Sequence, residues 1–174
     1  DDQSAAYEAV QSLIDKGRKK IALVTTVDYV SVGKLRTDGY IKALLDNGIS
    51  FDENLIIKIE DIDTCEITIG KLLEDKAIDA VFAVNELFAV TIIKTANKIG
   101  LNVPKDLAVI AFTDGMISKY STPTITTVSQ NGIKMGNKSA KMLIERLESE
   151  ENEEDENYKT KIIETHLIER ESTN

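Results

Sequence analysis

The chain alternates between two hydrophobic periods, and that alternation constrains its fold more than any single motif. Residues 21–24, 55–59, 80–84 and 108–112 are short, continuous apolar runs. They are too short for helices and lack polar alternation, as strands covered on both faces should. Segments 4–16, 34–47 and 86–99 repeat apolar residues at helical spacing. Asp63 and Glu66 read as a capping box opening another helix, with Ile69, Leu72 and Leu73 on its inner side. The segment 86–99 is apolar almost all round, which predicts burial on more than one side. Gly17, Gly48 and Gly100 close helices, where a left-handed backbone is needed.

The second half continues the pattern with less regularity. Residues 113–125 are polar and show no clear period. A β-branched run, 126–128, precedes a helix over 131–147. Gly136, Ala140, Leu143, Ile144 and Leu147 are expected to face inward, and Lys134, Lys138, Lys141 and Glu145 outward. A last strand is expected over 161–168. Alternating strands and helices predict an α/β fold, a three-layer parallel sheet with helices on both faces.

Charge excludes some functions. The 174 residues carry a formal net charge of −9, the wrong sign for gripping a phosphate backbone. Much of it sits in ESEENEEDE, residues 148–156, so 148–158 reads as a mobile acidic loop. One cysteine, Cys65, cannot form an internal disulfide, which suits a reducing compartment and a cytoplasmic protein. No apolar run reaches the roughly 18 residues of a membrane span, so no membrane partner is expected. No cofactor is expected either: neither a Walker-type nor a dinucleotide glycine pattern is present.

In doubly wound sheets, ligands sit beyond the carboxyl ends of the strands. That rule selects the loops at 26–33, 60–63, 85–86 and 113–122. The stretch TTVDYVSVGKLR, which is the first loop and the start of the helix after it, holds Tyr29, Ser31, Lys34 and Arg36. Arg36 falls in the first turn of its helix, where a cation is disfavoured; it either reaches a polar ligand or points to water. Asn85 can line a cleft, cap the following helix, or do both. Thr113 and Asp114 follow the fourth strand, where Asp114 can accept from hydroxyls or make a turn with Gly115. Together these groups suggest a cleft for a small polar ligand. They do not suggest catalysis, because the single histidine, His166, lies in the final strand and no nucleophile–base pair falls at the strand ends.

At these loops the sequence resembles the effector-binding core of lactose/galactose-repressor-type (LacI/GalR) transcription regulators, whose fold is that of type I periplasmic binding proteins. The resembling segments are DDQSAAYEAVQSLIDKGRKKIALV, KLRTDGYIKALLDNGI, AVFAVNELFAVTIIKTANKIGLNVPKDLAVIAFTD, TPTITTVSQNGIKMGNKSAKMLIERL and HLIERES, in family order. They span essentially the whole chain outside the acidic run. The resemblance implies that Arg36 hydrogen-bonds effector hydroxyls and that Asn85 lines the cleft. Thr113 stands where the family most often has an effector-binding Asp, with Asp114 following. Glu60 and Asp61 stand where members often place a stacking aromatic.

The resemblance further implies that the chain is mainly the second lobe, residues 1–174, with a crossing segment at 126–147 and no DNA-binding headpiece. The expected partners are a sugar or sugar derivative and a second copy of the chain, with operator DNA reached only through the missing headpiece. A phosphorylated effector is disfavoured in this cleft, where Glu60, Asp61 and Asp114 oppose Lys34 and Arg36. A transport-associated sugar-binding protein of the same fold is the alternative. An enzyme of the doubly wound class is a third reading with little support.

Overall fold

The computed structural model describes residues 1–27, 31–75, 77–148 and 159–174. Tyr29 and most of the acidic segment 148–158 therefore lie outside the described residues. Six strands form one sheet in the order β2-β1-β3-β4-β5-β6. They are β1 (Ile21–Thr26), β2 (Ile56–Ile59), β3 (Ala80–Ala83), β4 (Ala108–Phe112), β5 (Thr126–Ser129) and β6 (His166–Ile168). The helices are α1 (Asp2–Asp15), α2 (Ser31–Asp46), α3 (Cys65–Asp75), α4 (Glu86–Lys98), α5 (Met116–Tyr120) and α6 (Gly132–Glu148).

The first five strands pair in parallel. From β1 the chain moves to one side for β2, then returns across β1 to β3 and on to β4. Right-handed crossovers then put α2 on one face of the sheet and α3 and α4 on the other. Helix α1 packs on α2. A Cβ at Gly39 would overlap the carbonyl of Gln3 and the Cβ of Ala6, so glycine is what lets these two helices touch. The strands β1, β3 and β4 are almost entirely buried, which explains their unbroken apolar composition.

Several local expectations are corrected. The acidic start of α3 is not an Asp63–Glu66 capping box. Asp61 accepts from the Asp63 amide at 2.9 Å and begins a 3₁₀ turn, Ile62–Thr64, that runs into α3. Glu66 instead reaches across to Lys94 and Lys98 on α4. Helix α4 buries Phe88, Ala89, Ile92, Ile93 and Ala96, but Leu87 and Ile99 are exposed. The polar stretch after β4 contains a helix after all, α5, whose five residues are too few to show a period.

The larger correction concerns α6. It buries no residue, and Ile133 and Leu147 are 85% and 75% exposed. The stripe expected to face inward has no cover among the described residues. This explains the sheet's last pairing. A helix that does not pack on the sheet cannot carry the chain back to its starting edge. The chain re-enters beside the end it left, and β6 pairs antiparallel with β5, Ser129 opposite His166. Only His166–Ile168 of the expected 161–168 strand is paired. Beyond β6, Ser172 and Thr173 are buried. The Ser172 hydroxyl donates to the Val109 carbonyl at 2.5 Å and accepts from the Thr126 amide at 2.9 Å.

Candidate effector site at the strand ends

The strand order reverses at β1, between β2 and β3, so the switch-point crevice opens beyond the carboxyl ends of β1 and β3. Arg36 sits there. It is 7% exposed, which rules out the solvent reading. Its Nη1 donates to the Val84 carbonyl at 2.6 Å, just past β3. Its Nε and Nη2 reach Asp2 Oδ1 at 2.8 and 2.7 Å. The guanidinium carbon lies 3.8 Å from the centre of the Phe112 ring, at the end of β4. Burial lowers the Arg36 pKa, opposed by the hydrogen bond and charge of Asp2. Of the five guanidinium N–H groups, three have these partners. The other two have none among the described residues.

Why the chain folds this way at α2 is local. Gly33, one turn before Arg36, faces Thr26 so closely that a Cβ would come within 2.6 Å of its hydroxyl. The missing side chain lets α2 settle onto the end of β1 and brings Arg36 inward. Ser31, the first residue of α2, is exposed at the same end.

Asn85 follows β3 and caps α4, its Oδ1 accepting from the Phe88 amide at 2.8 Å. The cap uses only the oxygen. Its amide nitrogen has no protein acceptor among the described residues, so the capping and cleft-lining roles are compatible. Its neighbour Glu86 holds the next loop: Oε1 accepts from the amides of Gly115 at 2.8 Å and Ser118 at 2.9 Å. A Cβ at Gly115 would collide with that carboxylate.

Thr113 has φ 75°, a left-handed conformation that β-branched residues avoid. Its amide donates to the Val128 carbonyl at 3.0 Å. Its hydroxyl lies 3.1 Å from Gln130 Oε1. Asp114 points elsewhere. Its Oδ1 accepts from Arg170 at 2.6 Å and from the Thr127 hydroxyl at 3.1 Å, and its Oδ2 lies 3.2 Å from Lys119. Burial works against its charge. Hydrogen bonds from Arg170, Lys119 and Thr127 outweigh that and hold its pKa below the usual carboxylate range. Asp114 is therefore an anchor between β4 and the C-terminal segment.

The structure thus places Arg36, Asn85 and Thr113 beside the ends of neighbouring strands, leaves Ser31 exposed at the start of α2, and ties Asp114 to Arg170, Lys119 and Thr127. Glu60 and Asp61 are exposed after β2. His166 is exposed in β6 against Asn131, and Cys65 is a buried free thiol in α3 whose pKa burial raises. Among the described residues no group of histidine, cysteine and carboxylate side chains could hold a metal. Sequence reasoning missed Gln130, which the strand-end rule could have found after β5. It also missed Asp2, Glu86 and Arg170, whose partners are too distant in sequence for any local signal.

Residues 10–173 match the periplasmic binding protein-like domain. The chain belongs to this family, in its LacI-type form. This LacI-type domain is 38% identical to the HTH-type transcriptional regulator MalR of Clostridium butyricum, over 99% of the chain and 50% of that regulator. It is 30% identical to the HTH-type transcriptional regulator CelR of Thermobifida fusca, again over 99% and 50%. Among solved structures, a transcriptional regulator CelR–cellobiose complex superposes with a TM-score of 0.90 at 30% identity, covering 99% of the chain and 52% of that one. The transcription regulator CcpA of Lactococcus lactis superposes at 0.88 with 27% identity, covering 100% and 63%. The chain spans about half the length of the curated relatives it matches. These relatives are transcription regulators rather than enzymes. Among the described residues no helix is long and apolar enough to cross a membrane.

Proposed function

We propose that this domain senses a small polyhydroxylated effector, a sugar or sugar derivative, for a cytoplasmic DNA-binding regulator of the LacI type. The observation that carries this is Arg36: a buried guanidinium fixed at the switch point with two donors left over. Asn85 contributes an amide N–H and Thr113 a hydroxyl beside the Gln130 amide. Such a set suits vicinal hydroxyls, each of which donates and accepts. Ser31 would add a hydroxyl at the start of α2, and Asp114 would hold Thr113 in place through Arg170. The regulator whose complex superposes on this chain binds cellobiose.

The domain division we infer goes with the same reading. Residues 1–174 act as the second lobe, with 126–147 crossing to the first. The uncovered stripe of α6 then packs on that first lobe in the parent protein. Effector binding favours one arrangement of the lobes by its unequal affinity for the two, and that bias reaches operator DNA through a headpiece outside this chain. Leu87 on α4 and Met116, Ile117 and Tyr120 on the adjoining α5 are exposed and apolar, a face suited to a second copy of the chain. A transport role on the same fold is less well supported, since the relatives are regulators.

A thermal-shift screen of the parent regulator against free sugars, starting with cellobiose, tests the reading. A saturable rise in melting temperature with at least one sugar, lost in Asn85→Ala, supports it. Sugars that leave the melting temperature unchanged, while amino acids or nucleobases raise it, would overturn the ligand class.

A further inference from the structure

Strand β1 is apolar until its end and then carries two threonines. Ile21, Ala22, Leu23 and Val24 are buried, and Thr25 and Thr26 finish the strand. Among the described residues, the side-chain hydroxyls of Thr25, Thr26, Thr95 and Ser118 are buried without a hydrogen-bond partner. Thr95 and Ser118 stand singly, in α4 and α5. Thr25 and Thr26 are adjacent, and both hydroxyls converge on Gly33. A Cβ there would lie 2.6 Å from the Thr26 hydroxyl oxygen and 3.5 Å from that of Thr25. Thr25 as a whole is 1% exposed.

Most buried polar groups in folded proteins are hydrogen-bonded, because an unpaired one gives up its water and gains nothing in return. Valine would fill the same space at this strand end without that loss, and it forms strands as readily. The folded chain on its own therefore gives no reason for hydroxyls here. Their location does. The Val84 amide donates to the Val24 carbonyl at 3.0 Å, and the Val84 carbonyl is the one that Arg36 holds at 2.6 Å. Thr25 follows Val24 directly, so the two threonines and the guanidinium meet at the same switch point. Gly33, in the first turn of α2, lies against both hydroxyls, and glycine holds a helical turn less firmly than any residue but proline.

We propose that Thr25 and Thr26 are specificity-determining residues of the effector site. When effector binds, the first turn of α2 lifts from β1, and the two threonine hydroxyls bind a hydroxyl group of the ligand. A threonine hydroxyl both donates and accepts, so the pair matches an alcohol, which does the same. Arg36 only donates and cannot tell an alcohol from a carbonyl or an anion. This role rests on the sugar-sensing function proposed above.

Isosteric substitution separates it from a structural role. Thr25→Val with Thr26→Val is compared with wild type in two measurements: thermal melting of the full chain without ligand, and calorimetric titration of the parent regulator with cellobiose, maltose, glucose and ribose. The valine pair should melt no lower than wild type, since it loses two unpartnered hydroxyls. It should bind the tightest of these sugars at least about tenfold more weakly, the order of two lost hydrogen bonds. Thr25→Ser with Thr26→Ser keeps both hydroxyls and should bind like wild type. A valine pair that melts lower would assign the hydroxyls to the fold and overturn the proposal. So would a valine pair that binds like wild type, or a serine pair that binds as weakly as the valine pair; both outcomes leave the sugar-sensing function standing. No binding of any of these sugars by wild type would overturn that function, and this role with it.

Discussion

Arg36 shows how one side chain can serve the fold and a ligand at once. Its partners, Asp2 and the Val84 carbonyl, come from α1 and β3, and its plane lies over Phe112 of β4. Replacing it with alanine strands a carboxylate and a buried carbonyl. Arg36→Ala should therefore cost about 3 kcal/mol in a denaturant melt, the order for breaking a buried pair from one side. Arg36→Lys should cost less and still lose effector binding, because an ammonium cannot keep two protein partners and offer two more donors. Equal stability of Arg36→Ala and wild type would show that the buried bonds contribute nothing. Thr113 illustrates the reverse trade. Its left-handed backbone costs on the order of 1 kcal/mol for a β-branched residue. Thr113→Gly should raise stability by a similar amount and weaken effector binding; a lower melting temperature would contradict this.

A third residue makes a pH prediction. The hydrogen bonds of Lys94 and then Lys98 lower the Glu66 pKa to about 2 from an ordinary 4.5. A depressed carboxyl pKa means stability that is present above about pH 4.5 and lost as pH falls through about 2. The two lysines are exposed and Glu66 is partly so, so the effect is small and screened by salt. The melting-temperature gap between wild type and Glu66→Gln should shrink steadily over that acid range. A gap that stays constant to about pH 2 would contradict the pairing.

At the scale of elements, legibility followed locality. The strands β1, β3 and β4 were readable because parallel strands buried on both faces are uniformly apolar. Helix α5 was not, because its start is set by Glu86, about thirty residues upstream, rather than by its own sequence. The expected capping box at α3 did not form for a related reason: Asp61 opens a 3₁₀ turn ahead of the helix, and Glu66, which a capping box would hold at home, has better partners on α4. Helix α6 was legible as a helix but not in its orientation. Periodicity reports that an apolar stripe exists and cannot say whether its cover is in the same chain. If the stripe meets another lobe, Ile144→Asp with Leu147→Asp should leave the melting temperature of this domain nearly unchanged. The same pair should destabilise the parent regulator by about 2 kcal/mol or more, as burial of unpaired charge requires. Equal losses in both would place the cover within this chain.

For the whole molecule, the doubly wound topology decides where chemistry can happen, and the sequence already pointed to that edge. Reading strand ends located Arg36, Asn85 and Thr113 without any contact map. What it could not supply was the division of labour. Asp114 looked like an acceptor for ligand hydroxyls, and its carboxylate is instead spent on Arg170, Lys119 and Thr127. Gln130 accepts from the Thr113 hydroxyl, and the strand-end rule reaches it only once 126–129 is read as a full strand. Long-range pairing assigns these roles, and it becomes visible only once β6 and the tail fold back beside β5. The central claim is that a sugar sits on Arg36, Asn85 and Thr113, and an amide chemical-shift titration of the full chain with cellobiose tests it most directly. The account predicts saturable shifts clustered at Asn85, Thr113 and Gln130, abolished in Arg36→Lys. Shifts confined to residues away from the strand ends, or unchanged by that substitution, would contradict it.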